Sequence, residues 1–499
     1  MRNVVVCCLD TVRQDVFERC APRLAARADT TFANCRAASA WSVPSHASML
    51  TGRLPHDHAV HAGSPRFDAL DPEETFLGDL PNHCSIGVSA NVYASSAFGF
   101  DTLFRDFLDV SREQRYPAGL DLVDFVDRHP DTDPSLGRYA DLLKAIATHD
   151  RPLASLGNAA WLAGDGFVRE GPFDLPTPVD DSARTVTRAL ESRIRGTSEP
   201  VIAFANLMEA HEPHRDTWSY DRSRYRETVP RGWSSRGLKA WDVMGNPEEH
   251  AEAISRYRAL YSASIEYLDR VLDDFINHLL NGTDRETTVV LTADHGENLA
   301  LPADEGGFGH VTSLSEGVLH VPLLLVNPPA GYPERIDELA SHLDLRQLVV
   351  GLARGESSQI TAGEGCAAAE VIGITPSNEP LLEQDPDRWD RLVRCVYEDE
   401  RKHVRDSRGE YSEYVIDPDR PCWQRRVGAG TGGNRSDSPP AWAAELFATG
   451  ASEYRRSVDA RTGDVDSAED TIGVDDAGNK HDDGLDPRVA RRLEELGYR

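Results

Sequence analysis

Apolar residues fall in short runs separated by longer stretches of helical period. Val4–Leu9, Ser85–Val88, Val201–Leu207, Thr287–Thr292 and Val321–Val326 are short enough for buried strands, and Pro328 and Pro329 close the last. Between them, Asp181 and Ser182 are placed to cap a helix with Ala183, Val186, Leu190 and Ile194 on one face. Asn246-Pro247-Glu248-Glu249 has the order of a helix start: a cap, a proline in the first turn, then acids at the positive dipole end. Ile254, Tyr257, Tyr261, Leu268, Val271, Phe275 and Leu279 continue it as one stripe, and Asn281-Gly282 ends it. Strand–helix alternation predicts an α/β fold: a large, mostly parallel sheet sandwiched by helices.

The pattern changes after about Gly351. Residues 354–388 read as a connection. Arg391–Tyr397, Lys402–Arg405 and Glu410–Ile416 read as a small antiparallel sheet, with Asp406-Ser407-Arg408-Gly409 as a turn. The expected organisation is a large domain over 1–375, a small C-terminal sheet domain over 376–430, and a flexible acidic tail over 431–499 that ends in a helix. Gly428–Pro440 reads as flexible. Asp464–Asp486 holds one Lys or Arg, Lys480, and reads as solvated tail. Val489, Leu493 and Leu496 mark the terminal helix.

Charge narrows the function classes. The 499 residues carry a formal net charge of −30. A field of that sign disfavours nucleic acid and anionic membranes as partners. Lysine occurs only at 144, 239, 402 and 480, so 49 of the 53 basic residues are arginine. An acidic, lysine-poor surface suits a halophilic protein, kept soluble in salty cytoplasm. No run reaches the roughly 20 apolar residues of a membrane span, and the N-terminus lacks the length and cleavage site of a signal peptide. The eight cysteines have no framework spacing and read as reduced packing residues, with the cytoplasm as the expected location.

Three apolar runs end in polar, metal-capable residues. Val4–Leu9 ends in Asp10-Thr11, Val201–Leu207 in Met208-Glu209-Ala210-His211-Glu212-Pro213-His214, and Thr287–Ala293 in Asp294-His295-Gly296-Glu297. The carboxyl ends of parallel strands are where open α/β sheets place their sites. Adjacent Asp294 and His295 can turn toward one divalent ion, with Asp10 as a second carboxylate. Carboxylate with imidazole suits Mn²⁺, Mg²⁺, Ca²⁺ or Zn²⁺ without choosing between them. Ser42 opens a helical stretch that ends at Gly52. It reads either as a plain helix cap or as a hydroxyl whose ionised form the helix dipole stabilises. His214 stays open between ligand and surface residue, and His320 reads as packing. Residues 215–241, with Trp218, Trp233 and Trp241, read either as a loop over the site or as a surface insertion.

Asn3–Arg13, Trp41–Arg53, Asp294–Glu297, Gly309–Leu323 and the ending Leu493-Glu494-Glu495-Leu496-Gly497-Tyr498 occur in the order found in sulfatases, members of the alkaline phosphatase superfamily. The chain resembles that family from end to end. The resemblance implies cleavage of a sulfate ester, small or on a glycan, at one divalent metal, with Ca²⁺ the first expectation. It implies Asp10, Asp294, His295 and Ser42 as metal ligands. It places Ser42 as the nucleophile, the position oxidised to formylglycine in true sulfatases. His46, where the motif has Arg, and His211 would stabilise charge on the ester. His310 or His211 would protonate the leaving oxygen. Asn91 falls where many members have a Lys/His pair. Two departures stand out: Asp10-Thr11 replaces Asp-Asp, and His46 replaces Arg. The same set resembles phosphoglycerol transferases of the superfamily, which use an unmodified hydroxyl on phosphoesters. A catalytically inactive binding homologue is the third reading.

Overall fold

A computed structural model of the chain describes residues 1–111, 114–122, 125, 136–170, 175–177, 180, 182–310, 313–357, 367–374, 381, 383, 385–431 and a few positions beyond. Its strands in chain order are β1 (Asn3–Leu9), β2 (Thr30–Arg36), β3 (Cys84–Ser89), β4 (Asp106–Asp109), β5 (Val201–Leu207), β6 (Thr287–Thr292), β7 (Asn298–Leu299), β8 (Phe308–Gly309), β9 (Leu323–Val326) and β10 (Arg335–Ser341). Eight of them form one sheet in the order β10-β2-β9-β6-β1-β5-β3-β4, and β7 pairs with β8 alone. Every pairing in the large sheet is parallel except those of β9 with β2 and β6. β1, β5 and β6 are buried along their whole length, which explains their continuous apolar sequence.

The helices follow the sequence with one displacement. Ala183–Arg195 buries Ala183, Val186, Leu190 and Ile194. The Ser182 side chain does not cap it, and Asp181 lies outside the described residues; instead Glu209 Oε1 accepts from Ala183 N at 2.5 Å. The long helix starts at Ala251, not at Asn246. Asn246 instead ends a short helix, Ala240–Gly245, and residues 247–250 turn between the two. The proline and acids that suit a first turn equally suit this tight connection. From Ile254 to Leu279 the expected stripe is buried.

The second sheet is antiparallel and five-stranded: β11 (Ala368–Ile372), β12 (Leu392–Glu398), β13 (Arg401–Asp406), β14 (Glu410–Ile416) and β15 (Gln424–Thr431). β11 lies within the stretch read as a connection and before the boundary expected at 375. Residues 428–431, read as flexible, belong to β15, because pairing with β14 compensates for the glycines. The acidic stretch and the terminal helix expected beyond it lie outside the described residues. The two sheets share one apolar core, in which Ala369, Val371, Val393, Cys395 and Tyr397 join the residues of the large sheet.

A buried charge cluster also couples them. Glu316 precedes β9 and is 1% exposed. It pairs with Arg36 at the end of β2 (2.9 Å) and with Lys402 of β13 (3.0 Å), and it accepts a hydrogen bond from the Tyr397 hydroxyl (2.6 Å). Burial alone would raise its carboxyl, but Arg36 and Lys402 bring it from an ordinary 4.5 down to about 2. The folded value is depressed, so the contribution is complete above the ordinary value and is lost as pH falls through the folded one. The shift corresponds to about 3 kcal/mol. Glu316→Gln, which leaves two buried cations unpaired, is expected to cost about 3–5 kcal/mol at neutral pH. It should also flatten the acid limb of stability in pH-dependent denaturant melts. An unchanged acid limb would show that Glu316 does not set it.

Candidate active site

The register fixes the site. Cys8 of β1 lies across from Asn206 of β5 and Thr292 of β6. The residues after these positions therefore emerge together at one end of the sheet. Asp10, Asp294 and His295 are fully buried there, and their ligand-capable atoms all lie within 4.8 Å of one another. Asp10 Oδ1, Asp294 Oδ2 and His295 Nε2 have no hydrogen-bond partner. The other atoms of these groups are held. Asp10 Oδ2 accepts from Asn91 Nδ2 (2.5 Å), and Asp294 Oδ1 accepts from the amides of Thr11 (3.3 Å) and His295 (2.9 Å). His295 Nδ1 donates to the Gly296 carbonyl at 2.9 Å, which leaves Nε2 as the bare nitrogen.

The electrostatics agree with that geometry. Burial, then the charge of Asp294, raises the Asp10 carboxyl well above its usual range. Asp294 is held below its usual range by His295 and His46 against the effect of burial. Burial keeps His295 neutral, at about 3. Two buried carboxylates side by side, each with an unpartnered oxygen, plus one bare imidazole nitrogen, form an uncompensated donor set. It fits a divalent cation, and its chemistry does not select which one. Thr11 occupies a left-handed conformation (φ 59°), unfavourable for a β-branched residue. Its hydroxyl donates to the Ala210 carbonyl (2.7 Å), and its carbonyl accepts from Tyr261 OH (2.6 Å), so the turn is held from both sides.

Ser42 is the first residue of a buried helix, Ser42–Thr51, which Gly52 closes in a left-handed conformation. Trp41, not Ser42, takes the cap position, and the Ser42 side chain does not cap. Its Oγ turns to the site instead: it donates to Asp10 Oδ2 (3.4 Å) and accepts from Asn91 Nδ2 (2.9 Å). Asn91 is itself fixed by the Tyr93 amide, which donates to Oδ1 at 2.7 Å. The structure thus joins Asn91 directly to both Asp10 and Ser42.

His46 differs from the expectation. It is fully buried between the edges of Phe100 and Phe204. Nδ1 donates to the Ser42 carbonyl at 2.6 Å, and Nε2 accepts from Asn206 Nδ2 at 3.0 Å. Burial lowers its pKa, so it stands as a neutral wedge behind the helix start, with both nitrogens engaged. A buried imidazole so placed cannot take the charge-stabilising place of an arginine. Cys8, His46 and Asp294 also lie close enough for a metal. His46 has no free nitrogen, however, and burial holds the Cys8 thiol protonated. The seven described cysteines are all free, in keeping with packing roles.

His211 and His310 are buried next to the Asp10, Asp294 and His295 group. The His310 ring is 4.5 Å from His295 and 5.6 Å from His211. His211 Nδ1 donates to the Glu212 carbonyl at 2.6 Å. Two carboxyls stand beside them: burial raises Glu297 to about 8, and burial with the neighbouring Glu297 raises Glu212 to about 7. His214 is a core residue, edge-on to Tyr257 at 4.5 Å. His320 is likewise packed, with Nε2 donating to the Ala33 carbonyl at 2.9 Å. The 215–241 segment is split: Trp218 is exposed, whereas the Ala240–Gly245 helix packs on β8 just before His310. Sequence reasoning left Asn206 and Glu297 without roles. A lone polar residue near the end of Val-Ile-Ala-Phe-Ala-Asn-Leu was the available signal for Asn206.

The model of the Sulfatase family matches residues 2–355. The chain therefore belongs to the sulfatase family, within the alkaline phosphatase superfamily. It is 27% identical over 217 residues to the uncharacterized sulfatase YidJ of Escherichia coli (strain K12), covering 39% of this chain and 43% of that protein. It is 31% identical over 105 residues to arylsulfatase K of Gallus gallus, covering 21% and 19%. The chain thus matches less than half the length of either relative. Among solved structures, the fold is similar to BT1596, a 2-O GAG sulfatase (TM-score 0.52, 14% identity, 98% of this chain and 96% of that one). It is also similar to the phosphonate monoester hydrolase of Agrobacterium radiobacter (TM-score 0.55, 13% identity, 94% and 95%).

The crowding of Asp10 against Asp294 yields a test. After chelation, Asp10→Asn is expected to be more stable than the parent by about 1–2 kcal/mol, because it removes a buried repulsion. The same variant should lose the rise in Tm that divalent ions give the parent. A retained rise would remove Asp10 from the ligand set.

Proposed function

We propose that this protein hydrolyses sulfate esters, small or carried on a glycan, with a nucleophile derived from Ser42 at a single divalent cation. The observation that carries this reading is the convergence of three unpartnered ligand atoms, from Asp10, Asp294 and His295, beside a Ser42 hydroxyl bonded to Asp10. A bound cation would supply Lewis acidity to the ester oxygens and lower the pKa of the attacking hydroxyl. Asp10, Asp294 and His295 would hold it, with Ser42 as the fourth protein ligand, and Ca²⁺ is the first candidate. Asn91 fixes the direction of Ser42 Oγ and offers an amide proton to developing negative charge. His211 or His310 would give the leaving oxygen its proton. In the sulfatase reading Ser42 matures to formylglycine, whose hydrate carries the attacking hydroxyl.

One observation favours a second reading. His46, neutral and engaged, replaces the Arg of the formylglycine motif, so direct attack by unmodified Ser42 on a phosphoester is the alternative. The acidic, lysine-poor composition suits work in concentrated salt, which sets the assay conditions. No described helix is long and apolar enough to cross a membrane.

Ser42→Ala is expected to lower turnover on the order of 10⁴-fold while retaining metal by elemental analysis. Unchanged turnover would remove the nucleophile assignment. The mass of the peptide containing Ser42, from protein made in its native cells, separates the readings: two hydrogens fewer supports the sulfatase, and plain serine supports phosphoester chemistry.

A further inference from the structure

The register of β7 against β8 sets Asn298 opposite Gly309 and Leu299 opposite Phe308. One residue beyond this ladder, Glu297 and His310 face each other. Their side chains meet, with Nδ1 of His310 3.3 Å from Oε2 of Glu297. Glu297 is fully buried and rigidly mounted. Its amide donates to the Gly317 carbonyl (3.0 Å), and its own carbonyl accepts from Arg13 Nη1 (2.8 Å). Asn298 Nδ2 donates to the Gly309 carbonyl (2.8 Å), which locks the hairpin under the pair. The roles proposed above for the reaction make no use of Glu297. A buried carboxyl group on one nitrogen of an imidazole fixes the ring plane and so the direction in which the other nitrogen faces.

We propose that Glu297 is a positioning residue. It grips His310 through Nδ1 so that the Nε2 proton is delivered to the leaving oxygen of the ester. This rests on the hydrolase reading. The step uses two protons on the pair, one shared between Oε2 and Nδ1 and one on Nε2. As the bond from sulfur or phosphorus to the leaving oxygen breaks, its electron pair goes to that oxygen, which takes the Nε2 proton. The bridging proton finishes on Nδ1, leaving Glu297 as a carboxylate and His310 neutral.

The test compares leaving groups. Nitrophenyl sulfate departs without needing a proton, whereas octyl sulfate needs one. Glu297→Ala is expected to lose about 10²-fold or more in kcat/KM on octyl sulfate and only a few-fold on nitrophenyl sulfate. Glu297→Gln, which keeps a hydrogen bond to Nδ1, should recover part of the loss. His310→Ala should match Glu297→Ala, and the double variant should add little. Tm and metal content confirm that each variant is folded and loaded. Equal losses on both esters, or loss on neither, would overturn the proposal. A second readout needs no turnover: nitrogen NMR of protein with isotopically labelled histidine. The Nδ1 signal of His310, assigned by its loss in His310→Asn, should move in Glu297→Ala; an unmoved signal overturns the pairing. A parent that cleaves neither sulfates nor phosphoesters would sink the hydrolase reading alone.

Discussion

Two carboxylates forced together out of water are the constraint on which the rest of the site is built. Asp10 and Asp294 sit at the ends of adjacent strands, with no solvent to screen them. Neither can retreat, because β1 and β6 are packed along their full length. The surroundings answer with neutral donors: the Asn91 amide and the Thr11 and His295 amide groups each hold one oxygen. The remaining oxygens stay uncompensated and point at a common space. The sheet thereby stores an electrostatic demand that a small, doubly charged ion can satisfy.

The histidines around this pair are divided by environment. His46, His214 and His320 are sealed in and act as shape. His295 is sealed in but keeps one nitrogen bare. His310 and His211 are buried too, but they lie beside carboxyls, Glu297 and Glu212. The same side chain thus meets three different surroundings: apolar packing, a pair of aspartates, or a buried glutamate.

Much of the fold was legible because periodicity and burial coincide. Val4–Leu9, Val201–Leu207 and Thr287–Thr292 are apolar on both faces, as central parallel strands must be. Asp10, Asp294 and His295 were legible because polar residues break those runs at the same end. The Asn246 start was misread because a turn between two helices uses the same residues as a helix cap. β11 escaped because Ala-Ala-Glu-Val-Ile is short and carries a buried Glu370, paired with Arg394 and His56. Asn206 and Glu297 were not legible as functional neighbours. Asn206 reaches back 160 residues to His46, and Arg13 comes from 284 residues away to support Glu297. Such contacts leave no local pattern.

The cluster around Glu316 has a consequence for biosynthesis. In synthesis β1 is made well before its neighbours, which arrive only with residues 201 and 287. The segment that follows His310 then waits for Lys402, since Glu316 and Arg36 are buried beneath a sheet not yet made. The apolar β1 therefore has no sheet partner until β5 is made. The Glu316 cluster is thus completed by the small sheet rather than by the large one.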